Sequence, residues 1–221
     1  MSRVGLFGAA FSVAVAAWSV NVHAATTKGS PFGNAPVSVR IGSDPEGQWI
    51  GWQNQTTGEC AWDWIGDTTG INDDYLVASG QGNDSLVIQT TLATFCGYPI
   101  GIPRYNGHVL DLYGYGGNDF LSSPTTLNTS IFGGEGNDWI TSGNGIATLK
   151  GFNGDDLILA SGSGFGGRYY GEAGNDCLFI KPTLAPALMT CGDGTADRWS
   201  GPGTRPATCE ITETHCCGFC L

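Results

Sequence analysis

Positive charge is scarce in this chain: nine Lys and Arg stand against twenty Asp and Glu in 221 residues. Histidine is rarer still, with three. So acidic a surface repels nucleic acid and anionic lipid and suits cations. No apolar run reaches the roughly 20 residues that a membrane-spanning helix needs. The longest uncharged one, Val4 to Trp18, has fifteen. No glycine precedes a lysine in the context of a phosphate-binding loop, and the EF-hand spacing that closes on a distant Glu is missing. Nor is a Ser-His-Asp or Cys-His arrangement recognisable. These absences argue against nucleic-acid binding, membrane insertion and nucleotide chemistry.

Residues 1–24 read as a secretory signal peptide. Arg3 is their only charge, the apolar run follows it, and "VHA" ends at Ala24 with small residues at the cleavage site. No cysteine follows closely enough to carry a lipid. The expectation is export, to the exterior or the periplasm. Without Arg3, eight basic residues face twenty acidic ones, a net charge of −12. Eight cysteines in an exported chain read as disulfides. Thirty-six glycines imply a turn-dense, all-β fold with little helix. Disorder is the alternative, but 41% hydrophobic residues and seven tryptophans oppose it.

The glycines are organised. "YGYGGNDFL" (113–121), "FGGEGNDWI" (132–140), "KGFNGDDLI" (150–158) and "YGEAGNDCL" (170–178) superimpose without gaps, and "CGDGTADRW" (191–199) is a worn fifth copy. "SGQGNDSLV" (79–87) and the weaker "TGINDDYLV" (69–77) share the core of the pattern. Asp119, Asp138, Asp156, Asp176 and Asp197 follow one another at 19, 18, 20 and 21 residues, with Asp84 and Asp74 upstream. Such spacing predicts a solenoid of stacked coils. Two places after each aspartate stand Leu76, Leu86, Leu121, Ile140, Ile158, Leu178 and Trp199, beside a mixed column, which is the alternation of a strand. Leu112, Ile131, Leu149, Tyr169 and Thr190 form a second, mostly apolar column before the loop. The glycines are expected at positive φ in a tight turn.

This pattern resembles the hemolysin-type (RTX) calcium-binding repeat, G-G-x-G-x-D-x-U-x. The resemblance covers roughly residues 107–199 well and 69–88 in part. It implies a right-handed parallel β-roll, or β-helix solenoid, with calcium between successive turns. The implied ligands are the sixth-position aspartates, Asp119, Asp138, Asp156, Asp176 and Asp197, with Asp84 upstream, and carbonyls of the loops containing Gly114, Gly133, Gly151 and Gly171. Physical chemistry agrees: calcium takes six to eight oxygens, and aspartates one strand spacing apart would repel one another without it. A calcium-free β-helix whose Asn-Asp pairs merely make turns is the bland alternative.

The chain also departs from the family. The intervening turns "SGNGIA" (142–147) and "SGSGFG" (161–166) lack the aspartate, so calcium is expected on one flank only, with Asp74 on the opposite flank from Asp84. Residues 88–107 break the repeat and read as a degenerate coil or a covering loop. Cys191 and Cys209, one coil apart at 18 residues, should be bridged, and Cys60 with Cys96 follows. The tail holds His215, Cys216, Cys217 and Cys220; zinc and thiol-redox readings lack their context, so a disulfide-bonded cap is expected. The organisation predicted is a signal peptide (1–24), a flexible leader (25–36), an N-terminal cap with degenerate coils (37–106), the calcium-binding roll (107–200) and a Cys-rich C-terminal cap (201–221).

The functional expectation is a secreted calcium-binding protein with a structural or surface-interaction role rather than an enzyme. Its partners would be calcium ions and an extracellular glycan or cell-surface component. The alternative is a calcium-dependent polysaccharide lyase or epimerase. The groups such an enzyme would use, Arg104, Tyr105, His108, Lys150, Arg168, Lys181, Arg198 and His215, share no spacing. Two aromatic columns offer a third reading. Tyr113, Phe132 and Tyr170 (interrupted by Lys150), and Phe120 with Trp139, could stack on glycan unless residues 37–68 or the tail cover them.

Overall fold

The computed structural model describes residues 26–71, 73–104, 110–123, 129–143, 147–160, 167–181, 188–201 and 204–212. Among them there is no helix, and hence none long and apolar enough to cross a membrane. The chain opens with β1 (Thr26–Gly29), β2 (Val37–Ser43), β3 (Gln48–Asn54), β4 (Cys60–Asp67) and β5 (Gly70–Ile71). Next are β6 (Tyr75–Gly80), β7 (Ser85–Ile88), β8 (Ala93–Phe95) and β9 (Tyr98–Ile100). Longer and shorter strands then alternate: β10 (Leu110–Gly116), β11 (Phe120–Ser123), β12 (Thr129–Glu135), β13 (Trp139–Ser142), β14 (Ala147–Asn153) and β15 (Leu157–Ala160). The series ends with β16 (Arg168–Ala173), β17 (Cys177–Ile180), β18 (Leu188–Gly192), β19 (Arg198–Ser200) and β20 (Ile211–Thr212).

From β10 to β17 each strand pairs in parallel with the strand two places on. A seven-stranded, wholly parallel sheet results, in the order β1-β6-β10-β12-β14-β16-β18. The second sheet runs β20-β19-β17-β15-β13-β11-β7-β2-β3-β4-β5, with β2 to β5 as an antiparallel meander on its N-terminal edge. Leu112, Ile131, Leu149 and Tyr169 of the first sheet and Leu86, Leu121, Ile140, Ile158, Leu178 and Trp199 of the second join one buried cluster. The apolar columns therefore supply the burial that drives the two sheets together.

Three readings of the sequence are corrected by the pairing. The fifth copy is slipped by one: Met189, not Thr190, lies beside Tyr169, and Gly192 faces Glu172. The extra residue is absorbed before Asp197, where the N–H groups of Thr195 and Ala196 both donate to Asn175 Oδ1. Leu76 is not inward; it pairs with Asp111 on the other side of its strand. Residues 26–29 of the expected leader form β1, bound along β6.

The break at 88–107 contains the β8–β9 hairpin, which lies against the meander. Phe95 packs so tightly over Gly51 that a Cβ there would come within 2.8 Å of its ring, and Trp62 meets Phe95 edge-on at 5.9 Å. The Cys60–Cys96 disulfide anchors it, with Cα atoms 6.2 Å apart. The segment is thus a hairpin held on the meander. Cys191–Cys209 is also formed, with Cα atoms 5.1 Å apart and both cysteines fully buried. Cys177 is disulfide-bonded as well. The segment expected to be a signal peptide, Cys216, Cys217 and Cys220 lie outside the described residues.

The Cys191–Cys209 bridge closes an 18-residue separation that holds β20 on the edge of its sheet. Replacing both by serine should lower the unfolding free energy by about 3 kcal/mol, as expected for a loop of about 15 residues. Denaturant titration of the parent and the double variant measures it. An unchanged midpoint would contradict a structural role for the bridge.

Candidate functional site

The site is built from one residue type, repeated at the entry to six parallel strands of the second sheet. Asp84, Asp119, Asp138, Asp156, Asp176 and Asp197 immediately precede β7, β11, β13, β15, β17 and β19 and are at most 3% exposed. Parallel pairing in register makes them a continuous row. Oδ1 of each accepts the backbone N–H of the aspartate one loop earlier: Asp84 N–H to Asp119 at 2.8 Å, Asp119 to Asp138 at 2.8 Å and Asp138 to Asp156 at 2.8 Å. Asp156 to Asp176 (2.9 Å) and Asp176 to Asp197 (2.7 Å) continue the series. At one end Val37 N–H donates to Asp84 at 2.6 Å, and at the other Asp197 N–H donates to Glu210 Oε2 at 2.8 Å.

The second oxygen of every aspartate in the row is different. Oδ2 of Asp84, Asp119, Asp138, Asp156, Asp176 and Asp197 is buried and has no hydrogen-bond donor. Burying a charged acceptor without a partner is costly, so six in a row require an explanation. In four loops that oxygen lies against a glycine. A Cβ on Gly114, Gly133, Gly151 or Gly171 would collide with Oδ2 of Asp119, Asp138, Asp156 or Asp176 respectively. The same Cβ would strike the carbonyl oxygen of Gly133, Gly151, Gly171 or Cys191 in the next loop. Carboxylate and carbonyl oxygens thus converge on a space kept open by glycine.

These glycines were expected at positive φ, and they are not. Positive φ falls one place later, at Tyr115 (77°), Gly134 (125°), Phe152 (81°), Glu172 (81°) and Gly192 (120°). It recurs at Gly117, Gly136, Gly154 and Gly174, between 112° and 135°. Gly114, Gly133, Gly151 and Gly171 are required for close approach, the others for backbone conformation. A second, exposed ladder runs alongside: Asn118 N–H donates to Asn83 Oδ1 at 2.8 Å, Asn137 to Asn118 at 2.9 Å, Asp155 to Asn137 at 2.9 Å and Asn175 to Asp155 at 2.7 Å. Asp74 stands apart from both. It precedes β6 in the other sheet, where its carbonyl accepts from Thr26.

Electrostatics follow from this geometry. Burial pushes Asp119 and Asp156 up to about 8 and Asp138 and Asp176 up to about 7; the N–H donor to each pulls the other way. Neighbouring carboxylates add to the rise at Asp119, Asp156 and Asp176. Asp84 is raised by burial to about 6, with Val37 N–H and the Ser79 hydroxyl lowering it. Asp197 is raised by burial, and Glu210 is the strongest like charge upon it.

Among the described residues no group of three or more His, Cys, Asp and Glu could by itself hold a metal ion. The row is a line, so any ion in it would depend on carbonyl oxygens as much as on carboxylates. An all-oxygen donor set with unpartnered charge fits a hard cation and not zinc. Residues that sequence reasoning did not single out are Val37, Ser79 and Glu210, placed in the row by strand pairing alone. Only the repeat alignment of 79–87 hinted at Ser79.

Among the described residues, the groups considered for catalysis lie apart. Lys150 is paired with Glu172 at 3.0 Å and lies over the rings of Phe152 and Tyr170. Arg104 Nη1 donates to the Thr68 carbonyl at 2.6 Å, while Arg168, Lys181 and Arg198 are exposed on separate strands or ends. Tyr105, His108 and His215 lie outside the described residues. Residues 37–68 extend the second sheet edgewise, and Phe132 of the first aromatic column is buried. Tyr113, Phe132 and Phe152 pack tilted at 43° to 59°, and Tyr115 meets Tyr113 at 70°, so these rings pack on one another.

The raised carboxyls give a pH dependence of definite sign. Their folded pKa values exceed the roughly 3.9 of an unfolded aspartate, so folding takes up protons between these limits. Metal-free protein should be most stable below about pH 4 and lose stability as pH climbs through 6 to 8. Melting temperature against pH in chelator tests this. Asp156→Asn should flatten the slope, and a curve that rises toward neutral pH would contradict the burial of charged acceptors.

No protein-family profile matches the chain, and neither the curated proteins nor the solved structures contain a significant match. The function of the row must therefore follow from its own chemistry.

Proposed function

We propose that this is an exported calcium-binding protein, a right-handed parallel β-roll of the hemolysin-type repeat kind, whose role is structural or surface-interacting. One observation carries the reading: six buried Oδ2 atoms without donors, four of them facing a glycine and a carbonyl of the next loop. The alternating strands, paired in parallel at 18 to 21 residues, support the roll. Disulfides at Cys60–Cys96 and Cys191–Cys209 support an oxidising, non-cytosolic location.

Calcium would be held by Asp119, Asp138, Asp156 and Asp176, with the carbonyls of Gly133, Gly151, Gly171 and Cys191. When bound it supplies positive charge between loops. The chain's own part is to keep those oxygens dehydrated and converging. Four divalent ions add eight charges to the −12 that remains without Arg3, which removes most of the repulsion along the flank. Affinities of about 10⁻⁴–10⁻³ M are expected for an extracellular module. Each independent site then stabilises the fold by about 2.7 kcal/mol at a calcium concentration 100 times its dissociation constant.

Calorimetric titration and melting temperature in calcium against chelator test the reading. The parent should bind about four ions and melt higher in calcium. An aspartate in the middle of the row borders two neighbours, so Asp138→Ala and Asp156→Ala should lose more calcium and more calcium-dependent stability than Asp197→Ala. Asp63, bonded to Trp52 Nε1, and Asp111, bonded to Ser130 N–H, serve as controls that leave calcium binding intact. Equal effects at every position, or no calcium-dependent shift in the parent, would defeat it.

A further inference from the structure

One loop of the row keeps the hydrogen bonds of the others but not their glycine. Around Asp84 the bonding is the same: its Oδ1 accepts Val37 N–H at 2.6 Å and its Oδ2 is buried without a donor. Asn83 Oδ1 accepts from Asn118, and Gly80 has φ 131° where Tyr115 has 77°. The pairing of Ala78 with Tyr113 and of Gly80 with Tyr115 sets Ser79 opposite Gly114. Ser79 therefore stands where the next four loops have Gly114, Gly133, Gly151 and Gly171. It is fully buried, and its hydroxyl donates to the Gly114 carbonyl at 2.9 Å.

That carbonyl occupies the same place in its loop as those of Gly133, Gly151, Gly171 and Cys191, which face the spaces kept open by glycine. In the Asp84 loop the open space is filled. A hydroxyl has one proton and can rotate: given to the Gly114 carbonyl it leaves Asp84 Oδ2 without a donor, and turned toward Asp84 it lowers that carboxyl's pKa instead. The opposite end is closed too: Cys191 stands where the preceding loop has Gly171, with its sulfur committed to Cys209.

We infer that Ser79 is a built-in plug, occupying with its side chain a fifth cation position between Asp84 and the Gly114 carbonyl, and that it limits the row to four ions. The inference rests on the calcium reading above. It makes an unusual demand, a gain of binding on removal of a side chain. Ser79→Gly opens the space while leaving the Asp84 carboxylate and the Gly114 carbonyl in place; Ser79→Ala keeps it filled with a methyl group.

Calorimetric stoichiometry and melting temperature, in calcium and in chelator, decide the matter. The parent and Ser79→Ala should bind four ions and Ser79→Gly five. Ser79→Gly should melt below the parent in chelator, where a carbonyl has lost its donor, and show the larger rise on adding calcium. The reciprocal variant Gly133→Ser should bind one ion fewer than the parent. It keeps the test open if Ser79→Gly does not fold. A parent that binds no calcium overturns the calcium reading itself. A parent that binds four while Ser79→Gly also binds four, or Gly133→Ser retains all four, overturns the plug alone. So does a parent that already binds five.

Discussion

Each buried aspartate of the row binds two loops with one side chain, and the rest of the molecule is arranged around that constraint. Oδ1 satisfies a backbone N–H of the segment before it, at 2.6 Å for Asp84 and 2.7 to 2.9 Å from Asp119 through to Asp197. A carboxylate can do this only if it is drawn into the turn, out of water. Its other oxygen is then left with no donor. The geometry that ties the loops together also creates the charge problem that a cation or a proton must resolve.

The turns are shaped by this demand. Two sets of glycines serve different ends. Gly114, Gly133, Gly151 and Gly171 vanish at Cβ so that a carboxylate can approach the chain, whereas Gly117, Gly136, Gly154 and Gly174 adopt φ values closed to other residues. At the intermediate place, where φ is near 80°, the chain tolerates Tyr115, Phe152 and Glu172. Left-handed φ of this size is strained but accessible to side chains. Those residues extend the aromatic cluster outside the first sheet, where Lys150 and Glu172 pair.

The ends of the row and of the sheets are managed separately. On the N-terminal side β2 puts Val37 in the aspartate's place and the meander carries the sheet away from the row. On the C-terminal side β20 brings Glu210 opposite Asp197, held there by a disulfide one residue earlier. Unpaired strand edges invite association; the second sheet covers both ends of its repeat strands with β20 and β2, and the first covers its N-terminal end with β1.

Local pattern alone determined a good deal: the all-β class, the row of six aspartates, the inward columns and the Cys191–Cys209 and Cys60–Cys96 bridges. Side-chain alternation and turn chemistry are properties of short segments, so they can be read from them. Register is not. An ungapped match of "CGDGTADRW" to "YGEAGNDCL" aligns the aspartates, yet β18 pairs one residue out of that frame, with Gly192 against Glu172. The β1 segment, "TTKG", has no apolar pattern and becomes a strand only because β6 has an edge to fill. Glu210 and Val37 carry no motif; they join the row through pairing with β19 and β7. Ser79 was visible as a letter, but its meaning came from a 2.9 Å contact with a carbonyl 35 residues away. Hydrogen bonds between distant segments decide such placements, and their partners are chosen by the folded chain, not by the neighbouring residues.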